Sequence, residues 1–257
     1  MELTKEHLER IKDSLPVERG NVSIDVLSFL NGVLYVAENG CKWRRLPERF
    51  GNWHTIYTRM NRWSKSGVWD RVFERLQKEG LVHLELKVVS LDSTSVKVHP
   101  DGTGAGEKNG PQAIGKSRGG RNTKIHLAAA NDVHALGFRL SPGQNGDGPE
   151  GRELIGELGC PRHGCALAMD MAYEGNETRG LACLLGFKPV VPPNPLRRKP
   201  WKLNQALYRQ RNHVERLFRR IKGFRRVFTR YDKLDVLFRS FVSFALSWLL
   251  LNSANRS

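Results

Sequence analysis

The sequence predicts a mixed α/β layer fold preceded by a helical N-terminal segment, and three observations predict it. The first eighty or so residues carry apolar side chains at helical spacing. From Lys87 onward, β-rich stretches and helical ones follow one another in the order β, β, β, α, β, α, β, α. The strongly apolar run at 241–251 is too short to span a bilayer and follows Arg239, so it reads as a buried C-terminal helix.

The elements can be justified in turn. Residues 22–38 have helical apolar spacing, and Gly40 supplies a stop. GNWHTIYTRMNRWSKSGVWDRVFERLQ gives two helices broken at Ser66-Gly67. Trp53, Ile56, Tyr57, Met60 and Trp63 share one face of the first, and Arg59, Arg62 and Lys65 decorate the rest. Helix, short glycine-containing turn, helix outlines a helix-turn-helix DNA reader, with Arg59 and Arg62 as its DNA contacts; an ordinary αα-hairpin with a solvated basic face reads equally well. VVSLDSTSVKVH is a strand with polar alternation around Asp92. DGTGAGEKNGPQAIGKSRGGRN, rich in glycine and base, is expected to be a mobile loop. TKIHLAAANDVHALGFRLSPG gives two strands joined near Asn131-Asp132, residues 150–158 a helix, and CALAMD a short strand ending at Asp170. Residues 178–185 read as a helix and FKPVVPP as a last strand broken by prolines. A basic loop, NPLRRKPWKL, then leads into a long helix. The expected division is 1–82 for the helical segment and 86–257 for the α/β part.

Lysine and arginine number 42 against 26 acids, a formal charge of +16. Such an excess opposes a compact fold unless a polyanion is the partner, so nucleic acid leads the candidate partners. MELTKEHLERIKDSLP has no secretory apolar region, and four cysteines make no disulfide framework. Cys160 and Cys165 flank His163 in CPRHGC, but no second cluster with zinc spacing follows, so reduced structural thiols are expected. A soluble, cytoplasmic protein is the expectation.

The last long helix, YRQRNHVERLFRRIK at 208–222, holds a single acid among many cations. On one continuous helix, Tyr208, Arg211, Glu215 and Lys222 fall within about 60° of arc, beside an apolar face of Val214, Leu217, Phe218 and Ile221. Glu215 could be an intrahelical ion-pair member with Arg211 or Arg219. Asp92 within a strand and Asp170 at a strand end change that balance, because acids beside buried strands are costly unless paired or metal-bound. Three carboxylates from two strands and a helix could hold two magnesium ions about 3.5–4 Å apart. On this reading the helix cations, Arg219 among them, grip phosphate while Glu215 meets metal at the scissile bond.

These residues resemble a known family. Tyr208, Arg211, Glu215 and Lys222 reproduce, in order and spacing, the tyrosine–arginine–glutamate–lysine signature of DDE transposases from bacterial insertion sequences. NHVERLFRRIKGFRRVFTRYDK, LDSTSVKVH, IGKSRGGRNTKIH, LSPGQ and DMAYEGNETR resemble the group named after insertion sequence five, as does the helical GCKWRRLPERFGNWHTIYTRMNRWSKSGVWDRVFERL. The resemblance covers essentially the whole chain. It implies an RNase H-like mixed sheet flanked by helices, behind a helical DNA-binding leader. It implies Asp92, Asp170 and Glu215 as the catalytic, metal-binding triad, with two Mg²⁺ ions that Mn²⁺ can replace. Nicking at the element's ends by water, followed by attack of the freed 3′-hydroxyl on target DNA, is the implied chemistry. Tyr208, Arg211 and Lys222 would hold transposon-end phosphates, and joining two ends implies at least a dimer on nucleoid DNA.

Lys108, Lys116, Arg118, Arg121 and Lys124 line the glycine-rich stretch, where a DNA contact is favoured over plain solvation. Asp132 and Asp147 sit in turn contexts where aspartate serves the backbone, and His99 and His126 read as structural or solvated. Two rivals stand beside the transposase: a nuclease of the same fold that only hydrolyses, and a non-catalytic DNA-binding protein.

Overall fold

The computed structural model describes residues 1–17, 23–82, 84–161 and 164–253. Val22 and His163 lie outside the described residues. Two compact units emerge: Met1–Gly80, Val98–Gln112 and Arg220–Ser257 form the first, and Leu81–Lys97 with Ala113–Arg219 the second. They do not follow a single cut near residue 84, because two later segments fold with the N-terminal helices.

In chain order the helices are α1 (Lys5–Ile11), α2 (Val26–Asn39), α3 (Trp53–Lys65), α4 (Val68–Leu81), α5 (Asp147–Leu158), α6 (Asn176–Leu184), α7 (Gln205–Arg209), α8 (Asn212–Ile221), α9 (Arg225–Phe228) and α10 (Asp235–Ser253). The strands of the second unit are β1 (Val88–Val98), β2 (Gly115–Ser117), β3 (Gly120–Ala129), β4 (Ala135–Pro142), β5 (Cys165–Met169) and β6 (Phe187–Val190).

The first unit is organised around aromatic rings. Phe29 on α2 meets Trp63 on α3 edge to face at 4.9 Å, Trp63 lies 5.6 Å from Trp69 on α4, and Trp69 lies 5.1 Å from Phe244 on α10. Asp25 caps α2 by accepting from the Ser28 amide, and Gly40 ends it in the left-handed conformation that glycine adopts without a Cβ penalty. α10 is long and apolar enough to cross a membrane, yet most of it is buried within its unit, as expected of a core helix. All four cysteines are free; Cys165 is buried and Cys160 exposed.

The second unit is built on one sheet. β1 pairs antiparallel with β3, and β3 with β4, giving the expected meander. On its other side β1 pairs parallel with β5, and β5 parallel with β6. Spatially the order is β4-β3-β1-β5-β6, with the short β2 on the outer end of β3. Val89, Leu91, Leu167 and Met169 point to one face, where Leu154 and Ile155 of α5 and Ala182 of α6 complete a buried cluster. This mixed sheet flanked by helices is the RNase H-like arrangement that the resemblance implied.

Two sequence expectations change here. The stretch 113–122 is not a loop: Lys116 pairs with Arg121 and Ser117 with Gly120 in a tight hairpin, which Gly120 permits by taking a φ of 96°. The helix expected over 208–222 is two helices. Gln210 and Arg211 donate to Leu207 and Tyr208, three residues back, and so leave the α-helical pattern. The Gln210 carbonyl accepts from the His213 amide and from the Ser90 hydroxyl, each at 3.0 Å.

Candidate active site

The parallel register Leu91↔Met169 leads directly to Asp92 and Asp170. Since neighbouring strands lie about 4.8 Å apart and side chains alternate, the two acids stand side by side on the sheet face opposite the α5–α6 core. Ser90 lies on the same face, and its bond to Gln210 brings the α7–α8 turn over it. α8 then buries Val214, Leu217 and Phe218, the apolar face read from the sequence, and turns Glu215 out beside it.

One guanidinium links the strand acid to the helix acid. Arg211 donates through Nη1 to Asp92 Oδ2 at 2.6 Å and through Nη2 to Glu215 Oε1. Because Arg211 sits in the turn before α8, the helix break is what lets it serve both acids. Burial pushes the Asp92 carboxyl above its ordinary range; the Ser93 amide and Arg211 oppose that shift, and the charges of Asp170 and Glu215 add to it. Asp170 accepts from the Ala172 amide, which turns the chain off the sheet. Beneath it, burial and then the charges of Asp147, Asp92 and Asp170 raise the Tyr173 phenol.

With this geometry in place, comparison with known proteins is decisive. Residues 83–250 match the family described as "Transposase DDE domain". The chain belongs to the DDE transposase family. Residues 3–73 match the family described as "Putative transposase of IS4/5 family". Brucella ovis has a relative named "Putative transposase for insertion sequence element IS6501", 30% identical over 132 residues, covering 50% of this chain and 98% of that protein. "Uncharacterized protein y4sN" of Sinorhizobium fredii is 35% identical over 82 residues, 32% of this chain; the match spans only 62% of that relative's length. Among solved structures, the piggyBac transposase synaptic complex with hairpin DNA aligns with a TM-score of 0.54 over 98% of this chain and 72% of that chain, at 10% identity, a likeness of fold.

The transposase acids differ from the sequence expectation in one respect. Among the described residues no three His, Cys, Asp or Glu side chains stand close enough to hold a metal ion; Arg211 bonds both Asp92 and Glu215. The donor set nevertheless fits a hard divalent cation: carboxylate oxygens alone, on elements already brought together, with a positive charge seated among them.

The expected DNA contacts divide by burial. Tyr208 is half-buried with its ring 5.8 Å from the Arg211 guanidinium carbon, and Arg219 is exposed on α8. Lys222 is half-buried in the first unit, and burial lowers its amine below the usual range. Lys116, Arg118 and Arg121 are exposed together on the β2–β3 hairpin, and Arg62 is exposed on α3.

Two candidates do not reach a DNA-facing surface. Lys124 belongs to β3, not to a loop, and pairs with Asp147 at 2.9 Å. Arg59 is buried, donates to the Ile24 carbonyl at 3.0 Å and covers Phe29 and Trp63, because the helix face carrying it turns into the aromatic core. The signal missed in the sequence is Arg211's double role. Its i, i+4 spacing to Glu215 was visible, whereas its reach to Asp92 depends on the helix break.

His126, fully buried, bonds Ser141 Oγ at 2.8 Å on the other sheet face, with Asp147 at 4.0 Å and Lys124 nearby. Burial first, opposed by Asp147 and Glu150, lowers its pKa, so the folded protein holds it neutral while the unfolded chain protonates near 6.5. Stability carried by the neutral ring is therefore present above the unfolded value and lost as pH falls through the folded one. His126→Gln is expected to remove up to about one proton from the acid-side slope of stability against pH. Urea midpoints measured across that range check it; an unchanged slope refutes the assignment.

Proposed function

We propose that this chain cuts DNA at the ends of an insertion element and joins the freed 3′-hydroxyl to target DNA. The observation that carries the reading is that Arg211 bonds both Asp92 of β1 and Glu215 of α8, while Asp170 follows the strand that pairs in parallel beside Asp92. Two divalent ions held by these carboxylates, Mg²⁺ with Mn²⁺ as substitute, would activate the attacking oxygen and stabilise the leaving one.

The chain's own groups do the rest. Asp92 and Asp170, on neighbouring strands of one sheet, give the site a rigid floor. Glu215 approaches on a helix whose position is set by buried side chains. Arg211 bonds both Asp92 and Glu215, and its guanidinium would also serve as a charge-assisted donor to a DNA phosphate. Arg219, the hairpin cations Lys116, Arg118 and Arg121, and Arg62 and Lys222 of the first unit supply further phosphate contacts, with Tyr208 as a stacking prop. Joining two ends calls for at least two copies on DNA, an arrangement that the piggyBac complex's description as synaptic makes reasonable for this family.

A gel assay with a duplex ending in a 3′-hydroxyl, a supercoiled target and Mg²⁺ tests the reaction. Joined product is the expected result; nicks without joining would leave only a nuclease, and neither product would end the catalytic reading. Separately, Lys222→Ala is expected to weaken duplex binding and reduce the slope of log affinity against log salt by about one. Anisotropy titrations across a salt series measure it, and an unchanged slope would remove Lys222 from the phosphate contacts.

A further inference from the structure

The stretch between β6 and α7 contains neither helix nor strand, yet it is closely pinned. The Trp201 indole donates to the Val191 carbonyl at 2.7 Å, so residues 191–201 form a loop whose ends meet. The Trp201 ring carries two guanidinium groups, with the Arg179 carbon 3.4 Å and the Arg197 carbon 4.7 Å from its centroid. Arg197 is itself tied to Glu174 at 3.1 Å and Asn176 at 2.9 Å, on the segment that follows Asp170. At the tip, the Asn194 side chain accepts from the Leu196 amide at 2.9 Å.

Besides Pro195 and Pro200, this anchoring leaves four side chains exposed. Leu196 is 91% exposed, and Arg198, Lys199 and Lys202 are exposed beside it. No carboxylate lies within ion-pair distance of those three cations among the described residues. A lone exposed leucine needs no explanation. One held at the tip of a pinned loop whose outward charges are all positive is a different matter, since a loop already ordered loses little entropy on binding. The loop also leaves the sheet at the right edge: Ala168 pairs with Val190 in parallel register, so β6 ends where Asp170 follows β5.

We propose that residues 194–202 are a DNA-gripping loop beside the candidate active site. Arg198, Lys199 and Lys202 each meet a backbone phosphate, and Leu196 packs against a base where the end of the duplex is opened. The inference rests on DNA being the substrate. Cations that track phosphate and an apolar side chain set against an unstacked base are the combination used by proteins that open a duplex.

Anisotropy titrations without divalent metal separate binding from cleavage, using a short duplex either blunt or mismatched at its terminal pairs. Arg198→Gln/Lys199→Gln/Lys202→Gln is expected to bind the blunt duplex about tenfold more weakly or worse, and to lose about 0.9 from the salt slope for each phosphate contact removed. Arg198→Lys/Lys199→Arg/Lys202→Arg keeps the charges and is expected to bind as the parent does. Leu196→Ser is expected to bind the blunt duplex normally and to lose the parent's preference for the mismatched end. A triple glutamine variant with parental affinity and slope overturns the phosphate contacts, as does a charge-keeping variant that fails to bind. A Leu196→Ser variant that keeps the preference, or a parent that has none, overturns the base contact. If the parent binds neither duplex, the DNA reading itself fails, a result distinct from failure of the loop.

Discussion

Asp92→Asn is expected to lower Mg²⁺-dependent DNA cleavage by on the order of 10³-fold or more, the scale on which loss of a group stabilising transition-state charge acts. The same variant is expected to fold at least as stably as the parent at neutral pH. Asparagine keeps the size and shape of the side chain, so the sheet face is not repacked. Burial already holds the Asp92 carboxyl above its ordinary range, and that net shift includes the pull of Arg211. An acid with a raised folded pKa binds protons more tightly in the native state, so its contribution to stability falls as pH rises from the unfolded value through the folded one. At neutral pH the full cost of the buried charge is present, and a neutral amide removes it. Two measurements check the pair of outcomes: a nicking assay with Mg²⁺, and thermal melts at neutral and mildly acidic pH. The stability gain is expected to shrink on acidification, as the parent carboxyl protonates. Retained cleavage would remove Asp92 from the catalytic triad. Lost DNA binding, by anisotropy without metal, would mean that the acid supports the fold and not the chemistry.

The contrast between those two readouts follows from how the acids are arranged. Asp170 follows the strand paired with β1, and its charge adds to the cost of ionising the buried Asp92. A stable protein of this sequence would be better served by apolar residues there, as it is on the opposite face, where Leu91 and Met169 are fully buried. Arg211 offsets part of that cost through its two bonds, one to Asp92 and one to Glu215.

Much of this was legible in the sequence, for reasons that can be named. The elements that carry Asp92, Asp170 and Glu215 were readable because each has an apolar run with its own period: alternate residues on β1, the continuous CALAM of β5, and the 3.6-residue stripe of α8. Turn chemistry marked Asn131, whose side chain accepts from the Val133 and His134 amides as an aspartate-type turn requires. What failed were the features decided by tertiary contacts. Periodicity carried one helix from Tyr208 to Lys222, and only the Ser90 hydroxyl, distant in sequence, explains why the backbone departs at Gln210. Arg59 and Arg62 look alike on a helical wheel, yet Arg59 turns onto the rings of Trp63 in its own helix and Phe29 of α2. Lys124 looked like part of a basic loop because its partner, Asp147, lies beyond the next strand, at the start of α5. Composition likewise marked GKSRGGRN as loop, where the positive φ of Gly120 is what lets a hairpin close.

Arg230→Met tests the other half of the arginine-rich C-terminal sequence, and its effect is expected on stability. The side chain is fully buried, and it spends its donors on the first unit's own backbone: Nε bonds the Asp232 carbonyl at 2.8 Å, and Nη2 bonds the Lys233 carbonyl at 3.0 Å and the Asp235 carboxylate at 2.8 Å. Its guanidinium carbon lies 5.1 Å from the Phe238 ring centroid, over the start of α10. Methionine fills a similar volume but leaves two carbonyls and a carboxylate without their donor. Removing one partner of such a buried pair costs about 3–5 kcal/mol, which for a chain of this size is a fall in melting temperature of roughly 10 °C. Arg225→Met is the control, since Arg225 is exposed only five residues earlier; a shift of less than about 0.5 kcal/mol is expected there. Equal melts for the two variants would show that the burial of Arg230 does not matter to the fold. A large loss for Arg230→Met alone would instead establish that the arginines after α8 serve two ends, those at the surface facing solvent and those in the interior holding the turn from which α10 starts.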